Sequence, residues 1–91
     1  MSEELIALDR IFQLLKNDVR GLDLLESIFQ QATECIRCIR RRKVPGCLNG
    51  VSYATKILRE HLQKKYGVII EGKDTDIGLE LFQRLLKERR P

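Results

Sequence analysis

The sequence has no tryptophan, and its 91 residues include only two tyrosines and three phenylalanines. A hydrophobic core must therefore be packed mainly from leucine and isoleucine. Hydrophobic residues make up 43% of the chain, which is enough for one core, whereas a second core would not fit in so short a chain. We therefore expect a single helical domain spanning residues 1–91.

Long apolar runs are also missing. No stretch approaches the roughly 20 apolar residues that a membrane-spanning helix needs, and the first charged residues are acidic, where a signal peptide would carry basic ones. We therefore expect no signal peptide and no contact with a membrane. The expected location is cytoplasmic or nuclear.

The sequence contains only three cysteines, Cys35, Cys38 and Cys47, which is an odd number. Without a secretion signal, an odd count favours free thiols over a disulfide framework. Together with His61 they could be read as a zinc set, but Cys35 and Cys38 lie within a helical pattern, whereas paired zinc ligands usually sit in a turn. The same placement disfavours a redox pair, which needs a helix start after a strand. We expect neither a metal nor another cofactor.

Residues for catalysis are equally scarce. The single histidine, His61, falls in an apolar stripe, which leaves no evident general base beside a nucleophile. The segment 67–75 has the glycine spacing of a phosphate-binding loop, but bulky apolar residues fill its middle. Asp74 also takes the place of the metal-binding hydroxyl. We therefore expect a binding protein and not an enzyme.

Apolar residues at helical spacing are what the sequence does contain, in four segments. The first segment is expected to start at a Ser2 cap and to end at Gly21, since glycine often closes a helix. The second is expected to start with a capping box at Asp23 and to end in a basic run before Pro45, which cannot continue a helix.

The third helix is expected over residues 52–66, from a Ser52 cap to Gly67, and the last helix after Asp74. Between them, Val68–Ile70 is β-branched and too short to stand alone, so it could lie extended or pair with another strand. The expected fold class is all-α: a compact bundle of about four helices with a possible short extended segment near residues 68–70.

Charge is strongly segregated along the chain. Residues 1–36 have three basic and seven acidic side chains, a net charge of −4, whereas residues 37–66 have nine basic and one acidic, a net charge of +8. Residues 67–91 are neutral, with five of each. The positive middle segment could meet nucleic acid, an acidic protein surface, or the acidic first segment of a second copy.

The first functional hypothesis is a small regulatory or accessory factor that binds nucleic acid. Arginine forks suit phosphates, and the third helix was expected to add polar residues on one outward face, formed by Ser52, Lys56, Arg59 and Gln63. A helix-turn-helix is disfavoured, because the connection between the second and third helices is too long for it. The expected phosphate contacts are Arg37, Arg40, Arg41, Arg42, Lys43, Lys56 and Arg59.

The second hypothesis is a helical protein–protein adaptor or homo-oligomerisation module with no role in nucleic-acid binding. The last helix is apolar over a wide arc, which indicates either a helix enclosed by the core or one that meets a partner. This hypothesis predicts a protein interface, in a homodimer or with another protein, at Leu79, Phe82 and Leu86.

Overall fold

A computed structural model of the protein describes the backbone of residues 4–40 and 48–88, and the side chains of these residues except for 38–40 and 88. The elements in chain order are β1 (Glu4–Leu5), α1 (Leu8–Leu14), α2 (Val19–Arg40), α3 (Leu48–Tyr66), β2 (Val68–Ile69) and α4 (Asp74–Glu88). The predicted all-α class is confirmed, with four helices within the described residues and one small pair of strands.

The N-terminal segment differs from the prediction of a first helix starting at Ser2, a residue outside the described ones. Glu4–Leu5 forms β1, which pairs in parallel with β2 so that Leu5 lies opposite Ile69. The backbone N–H of Glu4 donates to the carbonyl of Gly67 at 2.9 Å, flanking the pair. The predicted extended segment near residue 68 is thus present, and its partner is a stretch whose apolar spacing had indicated a helix.

The junction between α1 and α2 also differs from the prediction. Gly21 was expected to end the first helix, but it is buried in the first turn of α2, where its N–H donates to Asp18 Oδ1 at 3.1 Å. A Cβ atom at Gly21 would lie 2.3 Å from Leu15 Cδ2. The glycine therefore allows the end of α1 to pack closely on α2. Asp18 caps this helix in place of the predicted Asp23.

Gly67 does end α3 as predicted, with a φ of 65° that favours glycine. The start of α3 is at Leu48, earlier than the predicted cap at Ser52. The apolar pattern extends with it, because Val51 is fully buried.

Helices α2, α3 and α4 pack pairwise against one another and form the body of the bundle. Residues from all four helices are fully buried in one main core, which also contains Val68 of β2 and Ile70 just after it. A smaller cluster beside it contains Ala32, Val51 and Phe82. The fully buried aliphatic side chains of the main core are those of Ile11, Leu15, Ile28, Leu58, Leu62 and Leu81.

The closest approach between α3 and α4 is at Gly78. A Cβ atom at this position would lie 2.4 Å from Thr55 Oγ1 and 2.6 Å from Val51 Cγ1. Thr55 is itself fully buried and donates its hydroxyl to the Val51 carbonyl at 2.8 Å, so it has little room to move. The absence of a side chain at Gly78 is therefore what sets the spacing of these two helices.

We expect Gly78→Ala to lower the free energy of unfolding by about 1–3 kcal/mol, because a methyl group there overpacks the α3–α4 contact. This loss outweighs the gain of roughly 1 kcal/mol that alanine brings to a helix interior. Urea denaturation followed by far-ultraviolet circular dichroism measures the change. Gly50→Ala is the matched control, since its Cβ would meet only the flexible end of Gln31, and equal losses in both variants would contradict the packing argument.

Candidate functional site

The predicted phosphate contacts differ in their exposure and in whether the structure describes them. Arg37 and Lys56 are exposed, and Arg37 Nη1 donates to Glu34 Oε1 of its own helix at 3.0 Å. An exposed ion pair of this kind is weak, so Arg37 can exchange its partner. Arg40 lies in the last turn of α2 and its side chain is not described. Arg41, Arg42 and Lys43 lie outside the described residues.

The outward face of α3 is rotated from the predicted one. Ser52 and Arg59 are partly buried, whereas Lys56 and Gln63 are exposed as expected. Tyr53 is 67% exposed, an unusual position for an aromatic residue in a chain with so few of them. A line of exposed residues follows α3 at steps of four, three, four and four positions. We call this line the α3 outer face, and it comprises Asn49, Tyr53, Lys56, Glu60 and Lys64.

Arg59 is engaged within the chain instead of facing outward. Its guanidinium donates to the carbonyl of Ile70 at 2.7 Å, to the carbonyl of Gly72 at 3.0 Å and to Asp74 Oδ1 at 2.7 Å. These three acceptors lie in the segment that leads from β2 into α4. Arg59 therefore holds this connection against α3, with three of the five N–H donors of its guanidinium engaged within the chain.

The most connected polar group among the described residues is the buried carboxylate of Asp18. His61 Nε2 lies 2.8 Å from Asp18 Oδ2, the Tyr66 hydroxyl donates to the same oxygen at 2.7 Å, and Lys65 Nζ lies 3.3 Å from it. The other oxygen accepts the Gly21 N–H. These contacts link the start of α2 to the C-terminal half of α3.

The donors around Asp18 favour its ionised form. The hydrogen bond from His61 contributes most, followed by those from the Gly21 N–H and the Tyr66 hydroxyl, and together they hold the pKa of Asp18 well below its ordinary value. The pKa of Tyr66 is raised, chiefly because its hydroxyl donates to this carboxylate and secondly because it is buried. The Tyr66–Asp18 hydrogen bond thus contributes to both shifts.

This geometry suits a structural role for the cluster. An ionised carboxylate only accepts hydrogen bonds, so the hydrogen of His61 that faces it is on Nε2. His61 is thus satisfied within an apolar stripe, as is usual for a histidine in such a position. Sequence reasoning placed the helix cap at Asp23 and overlooked Asp18. The available signal was Asp18 three residues before Gly21, the spacing of an N-cap and the backbone N–H it accepts.

The three predicted protein-interface residues differ in exposure. Phe82 is buried, with its ring centroid 5.0 Å from that of Phe29, so it is part of the core of the single chain. Leu79 is partly buried against the same cluster, and Leu86 is 42% exposed. Of the three, Leu86 presents the most surface to a partner.

Cys35 is a free, buried thiol. Among the described residues, no group of three or more histidine, cysteine, aspartate and glutamate side chains is arranged to hold a metal ion. The side chain of Cys38 and the whole of Cys47 lie outside the described part of the chain. None of the helices, within the part that is described, is long and apolar enough to cross a membrane.

Comparisons with protein-family models, with curated protein sequences and with solved structures find no match to this chain.

We expect Arg59→Ala to destabilise the protein by roughly 1–3 kcal/mol, because it leaves two backbone carbonyls and a partly buried carboxylate without a charged donor. Chemical denaturation measures this loss. Arg59→Lys should recover only part of the stability, since an ammonium group cannot reach three acceptors in a fork. Lys56→Ala, which removes an exposed charge on the same helix, serves as the control, and an equal effect there would contradict the assignment.

The lowered pKa of Asp18 predicts a specific dependence of stability on pH. The ionised carboxylate stabilises the fold above the pKa of an unfolded aspartate, about 3.9, and this contribution is lost as the pH falls below that value. We expect Asp18→Asn to be less stable than the native chain at neutral pH, and to lose less stability between about pH 5 and about pH 2. Urea denaturation at a series of pH values measures both effects.

Tyr66→Phe removes one donor to Asp18 and should give an intermediate dependence on pH. Asp23→Asn, which changes the same chemical group at an exposed position of α2, is the control. If Asp18→Asn lost as much stability as the native chain between about pH 5 and about pH 2, a group other than Asp18 would be responsible for the acid sensitivity.

Proposed function

We propose that the protein is a non-enzymatic nucleic-acid-binding factor that contacts phosphates through the α3 outer face and the basic end of α2. The observation that carries the proposal is the placement of Tyr53 at 67% exposure, with Lys56 one turn further along the same line. Tyrosine and lysine are both common donors to phosphate oxygens, and a tyrosine ring can also stack on an unpaired base.

The charge distribution supports this use of the surface. Residues 37–66 have a net charge of +8 in a chain whose total is only +4. Most basic side chains of α3 face solvent, with Arg59 as the exception. The α3 outer face includes one acid, Glu60, so the positive potential depends on the lysines around it and on the basic run that precedes α3.

The basic run at the end of α2 extends the same electrostatic surface along the chain. Arg37 and Arg40 lie in the last turns of α2, where cations are favoured by the helix dipole. Arg41, Arg42 and Lys43 follow directly in the sequence, before α3 begins at Leu48. Such a run contributes phosphate affinity without reading bases, so we expect binding with little sequence specificity.

Fluorescence anisotropy of labelled DNA and RNA, single- and double-stranded, at several salt concentrations tests the proposal. We expect log affinity to fall linearly with log salt concentration, because each neutralised phosphate releases counterions. The double variant Lys56→Ala/Lys64→Ala should weaken binding and lower the magnitude of the salt slope by roughly 2, about one for each lost phosphate contact. Replacing Arg40, Arg41 and Arg42 with alanine should weaken it further.

The matched control is Lys16→Ala/Lys87→Ala, which removes two exposed positive charges that lie outside α2 and α3. An equal loss in this control would show that only net charge matters and that the α3 outer face has no special role. Absence of binding even at low salt would overturn the proposal, and an acidic protein surface would then be the partner to seek.

A further inference from the structure

An exposed apolar line runs along α2 on a side that the proposed function does not use. Leu22 is 42% exposed, Ile36 is 40% exposed, and Phe29 between them is partly buried. Because these residues are seven positions apart, they lie on one side of the helix, as in a coiled-coil seam. They span about 21 Å along the axis at 1.5 Å per residue.

Helix α4 widens one end of this line into a groove. The groove has a volume of about 210 Å³ and is lined by Leu22, Leu25, Glu26, Phe29 and Leu85. Leu86, which is 42% exposed, follows Leu85 on α4. Since α2, α3 and α4 pack pairwise, the side of the bundle between α2 and α4 is the side away from α3. A partner bound there leaves the α3 outer face accessible.

We infer that this surface binds a second copy of the same chain, with the two α2 helices antiparallel and a twofold axis at Phe29. Leu22 lies seven residues before Phe29, and Ile36 lies seven residues after it. A twofold axis at Phe29 therefore places Leu22 against Ile36 of the partner subunit and Phe29 against the partner's Phe29. The three side chains form a self-complementary set, which an isologous interface requires.

The groove also gives the proposed interface a complementary shape. Leu22, Phe29 and Leu85 leave a hollow at one end of the line, whereas Ile36, at the other end, is 40% exposed and does not line this hollow. The antiparallel arrangement brings the partner's Ile36 to the hollow and, by symmetry, inserts Ile36 into the partner's hollow. This is the knob-into-hole packing by which helices associate.

Charge also favours the antiparallel orientation. Before Phe29 the exposed charged residues of α2 are Arg20, Asp23 and Glu26, a net charge of −1, whereas the exposed Arg37 follows it. Antiparallel helices bring Arg37 toward the acidic end of the partner, while parallel helices would place like charges side by side. Glu34 also follows Phe29. Its ion pair with Arg37, at 3.0 Å, is exposed and therefore weak, so Arg37 can exchange it for the partner's acids.

Sedimentation equilibrium and light scattering of the full chain across a wide range of concentrations test the inference. We expect a dimer, and Leu22→Glu or Ile36→Glu should each raise its dissociation constant by roughly tenfold or more, because each places an unpaired charge in an apolar contact. Tyr53→Glu, an equivalent change on the α3 outer face, should leave the dimer intact. Circular dichroism establishes that all three variants are folded.

The orientation is tested by crosslinking in a chain whose three cysteines are replaced by alanine. Single cysteines are introduced at two exposed positions of α2, Gln30 near the axis and Asp23 six residues from it. Antiparallel pairing separates the two copies of position 23 by about 18 Å along the helix axis, so a short thiol-reactive crosslinker should join the chains at position 30 and not at position 23. Crosslinking at both positions would overturn the antiparallel arrangement.

A chain that is monomeric at every concentration would overturn the inference altogether. So would a dimer that persists in both Leu22→Glu and Ile36→Glu, because the contact would then lie on another surface. Neither outcome decides the proposed binding of nucleic acid, because that binding is measured separately in variants of Lys56 and Lys64 on the α3 outer face. Arg37 lies beside the dimer contact and is not one of those variants.

Discussion

The carboxylate of Asp18 is the constraint on which the arrangement of the helices depends. It caps α2 through the Gly21 N–H and accepts hydrogen bonds from His61 and Tyr66, which lie more than forty residues further along the chain. The start of α2 is therefore fixed relative to the end of α3 by a charged group with little access to water. Hydrogen bonds to an ionised acceptor are stronger than neutral ones, so a few of them are enough to hold these two helix ends together. Once this junction is set, the direction of α2 is set as well.

Helix α3 is the element that connects the core, the second polar anchor and the proposed binding surface. Leu58 and Leu62 lie in the main core, Arg59 holds the connection between β2 and α4, and Lys56 faces solvent. A helix fixed on two sides presents its third side in a constant orientation. A binding surface carried by such a helix needs little reordering when it meets a partner, which lowers the entropic cost of binding.

Sequence reasoning predicted the fold class because apolar spacing reports which side of a helix is buried. It identified the stripes of α2, α3 and α4, and Gly67 as the end of α3. It was wrong about Glu4–Leu5 and Gly21, because strand pairing with Val68 and close packing on Leu15 are contacts between segments distant in sequence or across a turn. For the candidate site, Lys56 is exposed as predicted. Arg59 is also of a residue type that is common in surface contacts. Only the three-dimensional structure reveals that its guanidinium donates to backbone carbonyls of the segment between β2 and α4.

The pairing of β1 with β2 has a consequence for the order in which the chain acquires its structure. Glu4 lies opposite Val68, so the first strand has no partner until most of the chain, including all of α3, has been made. Contacts between such distant segments close the largest loop and form late, whereas neighbouring helices can associate early. During synthesis on a ribosome, the N-terminal strand would wait unpaired while the helices assemble. Its docking beside Val68 would then be a late step in the formation of the domain, together with the packing of α4.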